Sequence, residues 1–234
     1  MLDRGAGAFI YASGRLHRVR LSAVLQAQRV VLVNCTARPT DLSAVIPDER
    51  AAGRSAVAAL IEQGHRDGIL VVSRAGSGTA AGLRLRGIND LLRERGARIG
   101  AAVLMVRQPG QVAAAVGAAL RAAVPPTALI CLADGIAMGA YRAAQECRIS
   151  VPDDVSVISF GDSHLAPWLD PPVTTVAVPY GELARQAVEI LLAAQPTVGA
   201  SYAPVQHVPM PVIERSSVGP APHQRASGAE RSSA

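Results

Sequence analysis

The sequence contains no lysine and few aromatic residues. All 23 basic residues are therefore arginines, and they are scattered rather than clustered. With no C-x-x-C…H-x-x-x-H spacing either, the formal charge of +5 is weak support for nucleic-acid binding. Only two Phe, one Trp and four Tyr occur among 234 residues, so a core must be built from Ala, Val, Leu and Ile. Such a core suits parallel strands covered by alanine-rich helices.

Long apolar runs are also missing. The most apolar region, 112–132, is interrupted by Arg121 and by Pro125-Pro126, which predicts that no segment spans a membrane. The first residues show no run long enough for a signal peptide. The three cysteines lie in strand-like or helical runs, which indicates buried thiols in a reducing compartment. We therefore expect a soluble cytoplasmic protein.

Short apolar runs alternate with helical patterns along most of the chain, which predicts βαβ units and parallel sheets. The predicted strands are 6–12, 29–34, 44–47, 69–73, 101–106, 128–133, 155–160, 173–178 and 205–213. The predicted helices are 16–28, 51–63, 79–95, 111–123, 135–147 and 182–194. The pattern alone does not choose between one sheet and two. From Ser216 onward, Ser, Gly, Pro and Ala dominate without periodicity, so a disordered tail is expected over 216–234.

The sequence shows no catalytic constellation. Ser163 and His164 are adjacent, which excludes triad geometry, and the histidines lack partners at metal-ligand spacing. One motif has chemical meaning: Gly76, Gly78 and Ala81 fit G-x-G-x-x-[GA] between a predicted strand and a helix. A dinucleotide site needs an acid at the end of the next strand, but that strand ends in 106–108 (VRQ). A plain glycine loop therefore remains the alternative interpretation.

Three charged residues share a type of position. Asp48, Arg84 and Asp162 each stand just past a predicted strand or near a helix start, where open α/β sheets bind ligands. A guanidinium facing carboxylates suits a polyol or a planar heterocycle through bidentate hydrogen bonds. The alternative is that the two acids are ordinary loop or N-cap residues and that Arg84 is a solvated helix residue.

Several segments, in order and spacing, resemble the effector-binding region of lactose-repressor (LacI/GalR) family regulators. They are Asp48 to Gly53 leading to Gly64-His65-Arg66, the helix 84–87, PPTALICLADGIAMGAYRAA, ISVPDDVSVISFGD and LAPWLDPPVTTVAVPYGELARQAVEILL. The resemblance runs from about residue 2 to residue 217. It adds weight to Asp48, Arg84 and Asp162, of which the first two match the family's ligand-contacting acid and arginine.

The resemblance implies an α/β fold of two parallel-sheet, Rossmann-like lobes of the periplasmic binding protein type, with a small-molecule effector between them. Residues 1–64 plus 175–200 would form an incomplete N-terminal lobe, and 65–174 plus 203–215 the C-terminal lobe. The chain would cross between lobes near Gly64, near Thr174 and at 195–203. The family dimerises through these lobes and binds operator DNA through a separate N-terminal headpiece.

Two departures from the family accompany the resemblance. The headpiece and the first two strand–helix units have no counterpart in this sequence, so we expect a fragment, a misassigned start or a decayed copy. Where the family has Asn-Asp and Asp-Asp, this chain has Ala133-Asp134 and Gly161-Asp162, and Val178 replaces a frequent polar contact. A sugar site without these partners loses bidentate hydroxyl recognition.

The prediction is a cytoplasmic, dimeric regulator of the lactose-repressor type, here its effector-sensing region. It is expected to bind a sugar or related metabolite, to need no cofactor or metal and to have no enzyme activity. Two alternatives stay open: a solute-binding protein of the same fold, which should carry an export signal, and an NAD(P)-dependent enzyme using 76–81.

Overall fold

The computed structural model describes residues 7–37, 42–76, 78–96, 104–108, 110–193 and 205–222. The chain divides into two compact units. The first comprises Met1–Asp48, Gly78–Ala80 and Pro179–Met210, and the second Glu49–Ser77, Ala81–Val178 and Pro211–Ala234. An α/β fold with two sheets, and not one, is confirmed.

The first unit contains a four-stranded parallel sheet in the order β1-β2-β3-β9. Helix α6 (Tyr180–Ala193) packs against β2 and β3 with Leu183 and Ala187 buried. Leu21, Val30, Leu32 and Cys35 form the core cluster of this unit. The strands are β1 (Ala8–Val19), β2 (Arg29–Ala37), β3 (Ala44–Pro47) and β9 (Val205–Val208).

Strand β1 includes residues 16–19, the start of a predicted helix, so the helix predicted over 16–28 was too long. Residues 17–19 pair in parallel with 35–37 of β2 after a register shift. Only α1 (Ala23–Gln26) is helical, and the Ser22 hydroxyl accepts a hydrogen bond from Leu25 N. Val24 and Leu25 therefore lie in a short helix, as their spacing predicts, and only the first residues of the predicted helix belong to the strand instead.

The second unit contains a six-stranded sheet in the order β10-β8-β7-β6-β4-β5. All neighbours are parallel except β10, which is antiparallel to β8. The strands are β4 (Ile69–Arg74), β5 (Leu104–Val106), β6 (Ala128–Cys131), β7 (Ser156–Gly161), β8 (Thr174–Ala177) and β10 (Val212–Ile213). Of the predicted strand 101–106, residues 101–103 lie outside the described part of the chain.

Both faces of this sheet are buried, which explains the continuous apolar runs that mark its strands. Alternate residues such as Leu70, Val72 and Leu129 join a cluster formed with α4 (Gln111–Leu120) and α5 (Asp134–Cys147). The residues between them, such as Val71 and Ile130, are equally buried on the opposite face. Helix α2 (Glu49–Glu62) contacts β6, β7 and β8.

Helices α2 and α3 (Gly78–Glu94) cross at two glycines. A Cβ added at Gly53 would meet the Arg84 carbonyl, and one added at Gly87 would meet the Arg50 carbonyl, both far inside the 3.0 Å limit for a real Cβ. Two ion pairs, Arg50–Asp90 and Arg54–Glu94, span the same seam. The two helices can pack this closely because Gly53 and Gly87 have no side chains.

The expected disordered tail begins at Ser216, but residues 216–221 are hydrogen-bonded to the second unit. The Ser217 hydroxyl accepts from Thr174 N and donates to Val157 O, and Ala221 N donates to Gln63 O. His65 is buried, with Nε2 3.0 Å from Gly219 O. Hydrogen bonds, and not a periodic apolar face, therefore hold this segment in place. Residues 223–234 lie outside the described part.

The compact units and the expected lobes differ in their boundaries. The units change after Asp48, Val178 and Met210, apart from the short Gly78–Ala80 piece, so α2 belongs to the second unit. The expected crossing at 195–203 falls outside the described residues. Among the described residues, no helix is long and apolar enough to cross a membrane.

Candidate functional site

The strand order of the second sheet indicates where a ligand would bind. Strand β4 comes first in the chain but lies between β5 and β6, so the chain continues on both sides of it. In open α/β sheets, ligands bind at the carboxyl ends of the strands beside such a switch point. Here those ends are Arg74 of β4 and Cys131-Leu132 of β6.

Arg84 reaches this position from the first turns of α3. Its Nη1 donates to Leu132 O at 2.8 Å, just past the end of β6. The guanidinium carbon lies 4.6 Å from the centre of the Phe160 ring on β7, close enough for a cation–π contact. Arg84 is 8% exposed. The side chain is thus fixed at the switch point rather than solvated.

Glu49 is the counter-ion of Arg84 and was not among the predicted site residues. Arg84 Nε donates to Glu49 Oε2 at 2.6 Å, and Nη2 donates to Oε1 at 3.0 Å. Both side chains are nearly buried, at 10% and 3% exposure. Glu49 opens α2, where the helix dipole favours a negative charge. Breaking a buried pair of this kind costs about 3–5 kcal/mol, because one charge is left without a partner.

Asp48 precedes Glu49 in the chain but belongs to the first unit. Its backbone N–H donates to Val208 O at 2.8 Å, which joins the end of β3 to the end of β9. The structure therefore places the predicted acid at the carboxyl end of the first sheet. A sequence signal for Glu49 did exist: an acid as the first residue of a helix that follows a buried strand.

Asp162 lies just past the end of β7 in a left-handed conformation, with φ of 55°. Its Oδ1 accepts from Nη2 of Arg215 at 2.7 Å. Arg215 also donates through Nη1 to Val173 O, and its backbone N–H donates to the Thr174 hydroxyl. The third predicted residue is therefore held at the carboxyl edge of the second sheet by the C-terminal segment.

Asp134 is the buried acid of this edge, at 4% exposure. Its Oδ1 accepts from the hydroxyls of Ser159, at 2.5 Å, and Thr175, at 3.1 Å. Its Oδ2 accepts from Ser163 N at 2.7 Å. All three donors are neutral. Asp134 was not among the predicted site residues, because its hydrogen-bond partners are scattered over two strands and a loop.

Gly161, one of the departures from the family pattern, lies directly against Asp134. Gly161 has φ of 132°, a conformation that favours glycine, and a Cβ there would lie 3.0 Å from Asp134 Oδ2. An acidic side chain at position 161 would place its Cβ directly against the buried Asp134 carboxylate. The glycine therefore makes room for Asp134 and its hydrogen bonds.

The glycine loop after β4 has part of the geometry of a dinucleotide site. Gly76 and Gly78 have φ of 74° and 75°, and α3 begins at Gly78. Past β5, however, the backbone N–H groups of Arg107 and Gln108 both donate to Gln111 Oε1, and no acid follows that strand. The loop thus lacks the group that would hold a ribose.

No metal site accompanies these residues. Within the part of the chain that the structure describes, no group of three or more His, Cys, Asp or Glu side chains is placed to hold a metal ion. The chemistry that this edge offers is hydrogen bonding, with the oriented guanidiniums of Arg84 and Arg215 as donors and the carboxylates of Asp134 and Asp162 as acceptors.

Comparison with solved structures defines the class first. A LacI-family protein from Rhizobium etli has the same fold, with a TM-score of 0.81 at 24% identity over 93% of this chain and 80% of that chain. A LacI-family regulator from Enterococcus faecium, solved with bound ribose, gives a TM-score of 0.71 at 21% identity over 93% of this chain and 81% of that chain. The fold is that of periplasmic binding protein-like domains.

Sequence comparison then gives the family. Residues 57–218 match the periplasmic binding protein-like domain. The chain is 32% identical to the transcriptional regulator MalR of Streptomyces coelicolor, over 96% of this chain and 68% of MalR. It is 31% identical to the repressor CytR of Escherichia coli, over 75% of this chain and 53% of CytR. The chain belongs to this family, as the effector-binding region of a LacI-type regulator, and the predicted resemblance is confirmed.

Proposed function

We propose that this chain senses a small, hydroxyl-rich metabolite, such as a sugar, for a transcriptional repressor, and does so in the cytoplasm and without enzyme activity. The observation that carries the proposal is Arg84, whose guanidinium is fixed at the β4/β6 switch point by Glu49, Leu132 O and Phe160. A donor held in advance pays little entropy when a ligand arrives. Ribose bound to a LacI-family relative supports the ligand class.

In this proposal Arg84 donates to an effector oxygen and Asp162 accepts from an effector hydroxyl, while Asp48 of the first unit stays a predicted ligand residue. Asp162 is suited to the role because Arg215 orients one of its oxygens, Oδ1. Asp48 is suited because it directly follows β3, at the carboxyl end of the first sheet. We assign operator binding to a headpiece and not to this region, because the arginines of this sequence are scattered rather than clustered.

A thermal-shift screen with D-ribose, other neutral pentoses and hexoses, and common nucleosides tests this function. We expect at least one compound to raise the melting temperature in a saturable way. Asp162→Asn should weaken that response by about tenfold or more, since it removes a charged acceptor. As a control, Asp154→Asn changes an acid that accepts from Ser150 N in a turn, and it should leave the response intact. A folded chain that no compound stabilises would contradict the proposal.

We also propose that the protein forms a homodimer through the second unit. Trp168, the only tryptophan, is 85% exposed, and Met138 and Leu165 are exposed as well. The short 3-10 helix Ala166–Trp168 is anchored by Ala166 N donating to Ser163 O, so the exposed ring stands on an ordered backbone. Exposed, rigid aromatic side chains are typical of interface centres.

Light scattering after size exclusion tests the dimer. Trp168→Glu should convert it to a monomer, because a charge enters the apolar centre of the interface. Val124→Glu is the matched control: Val124 is 87% exposed in the same unit but follows α4, away from the Trp168 helix in sequence. If Trp168→Glu stays dimeric, this surface is not the interface.

A further inference from the structure

One edge of the Arg84 guanidinium is already occupied by a carboxylate of the chain itself. Glu49 takes Nε and Nη2 together, in the bidentate arrangement with which arginine binds carboxylates and phosphates. This edge would be the natural receptor for an anionic effector. With Glu49 in place, an incoming anion meets a guanidinium whose charge is compensated.

The hydrogens that remain suit a neutral partner. A guanidinium has five N–H donors; Glu49 takes two and Leu132 O takes one. One hydrogen is left on Nη1 and one on Nη2. These can donate to a hydroxyl or carbonyl oxygen without displacing either protein partner, whereas a bidentate anion on Nε and Nη2 would leave the Glu49 carboxylate buried and unpaired.

The charges around Arg84 agree with this assignment. Among the described residues, the buried or half-buried charged side chains that bond at the carboxyl edge of the second sheet include three carboxylates (Glu49, Asp134 and Asp162) and two guanidiniums (Arg84 and Arg215). Three negative and two positive charges leave one net negative charge. Arg74, at the end of β4, is exposed, so solvent screens its charge. The edge as a whole therefore disfavours an added anion.

We propose that Glu49 is the specificity-determining residue of the site: it neutralises Arg84 so that the site accepts neutral hydroxyl-bearing effectors and rejects carboxylates and phosphates. The inference rests on the proposed function and narrows it from a general metabolite to an uncharged one. Glu49 is a positioning residue, since it acts through Arg84.

Inorganic phosphate is the probe that tests the proposal without a known effector. The proteins are the wild-type chain, Glu49→Gln, the double variant Glu49→Gln/Arg84→Gln, and Glu146→Gln as a matched control. Glu146 also pairs with an arginine, Arg142, but both side chains are largely exposed, at 51% and 73%. Calorimetric titration and melting temperature with millimolar phosphate, in a buffer free of other anionic ligands, are the readouts.

Glu49→Gln should bind phosphate at least about tenfold more tightly than the wild type, because it frees a charged, oriented guanidinium. The gain should vanish in the double variant, and Glu146→Gln should behave like the wild type. A merely structural role of Glu49 would lower stability without creating phosphate binding. If Glu49→Gln folds only poorly, phosphate should restore its native circular dichroism, which chloride at equal ionic strength should not do.

Three results would overturn the inference: Arg84-dependent phosphate binding by the wild type, a folded Glu49→Gln that ignores phosphate, or a poorly folded Glu49→Gln that phosphate does not rescue. Each is independent of the screen for a neutral effector. If no neutral compound binds but Glu49→Gln binds phosphate, the proposed sensing function is wrong and the role of Glu49 in excluding anions is supported. If the screen succeeds and phosphate binding is not gained, only the role of Glu49 is wrong.

Discussion

Helices α2 and α3 cross so closely that Gly87→Ala should destabilise the protein, although alanine favours a helix. A Cβ at Gly87 would lie far inside contact distance of the Arg50 carbonyl oxygen, and the same Cβ would lie 3.1 Å from Arg54 N. Both are backbone atoms, so no side chain can rotate to relieve the overlap. The two helices would have to move apart.

The magnitude follows from two opposing terms. Alanine in a helix interior is better than glycine by about 1 kcal/mol. Overpacking in a well-packed site costs about 1–3 kcal/mol, and a rigid backbone partner places this site at about 3 kcal/mol. The net loss is about 2 kcal/mol, which lowers the melting temperature of a chain of this size by about 4–8 °C.

Gly82→Ala on the same helix is the matched control. A Cβ at Gly82 meets nothing within 4 Å, so only the helix-propensity gain applies. Its melting temperature should rise by about 2–4 °C. Differential scanning calorimetry of the three proteins measures both shifts. If Gly87→Ala is as stable as Gly82→Ala, the close crossing does not exist and the placement of Glu49 against Arg84 fails with it.

Three further outcomes follow from buried groups. Arg84→Met should lower the free energy of unfolding by about 3–5 kcal/mol in urea, because it strands the Glu49 carboxylate; a loss below about 1 kcal/mol would mean the pair is solvated. Ser217→Ala should cost about 1–3 kcal/mol and speed amide exchange in β7 and β8, because it unpairs two buried backbone groups; unchanged exchange would contradict the attachment of this segment. Burial raises the pKa of Cys35 to about 11 and the pKa of Cys131 still further, so at mildly alkaline pH their thiolates are scarce; Ellman's reagent should label only Cys147 until the chain is unfolded.

The parts of the fold that the sequence predicted are those with strong local signals. The runs 69–73, 128–133 and 155–160 are apolar apart from a few serines, because helices cover both faces of their sheet, and each contains a strand of the second unit. The helix predicted over 16–28 is observed only over Ala23–Gln26, because residues 17–19 pair with a strand that local periodicity does not reveal. Residues 216–221 carry no periodic signal, since their hydrogen-bond partners lie 43 residues or more away in sequence.

The candidate site divides in the same way. Arg84 and Asp162 stand out because one lies near a helix start and the other follows a strand, which a sequence pattern can show. Glu49 and Asp134 did not stand out, because their importance lies in their partners: a guanidinium on another helix, and hydroxyls on two strands. The close approach of Gly161 to Asp134 could not be predicted from the sequence either, because the two residues belong to different elements.

The most direct test of the central claim is a nuclear magnetic resonance titration that follows the Nε–H signal of Arg84. The signal is assigned by its loss in Arg84→Gln, and the titrant is the sugar or nucleoside that gives the largest thermal shift. If Arg84 binds the effector, this signal should shift in a saturable way over the same ligand concentrations that stabilise the protein. A ligand that stabilises the chain and leaves the Arg84 signal unmoved, or saturable NADPH binding at Gly76 and Gly78 instead, would contradict the proposal.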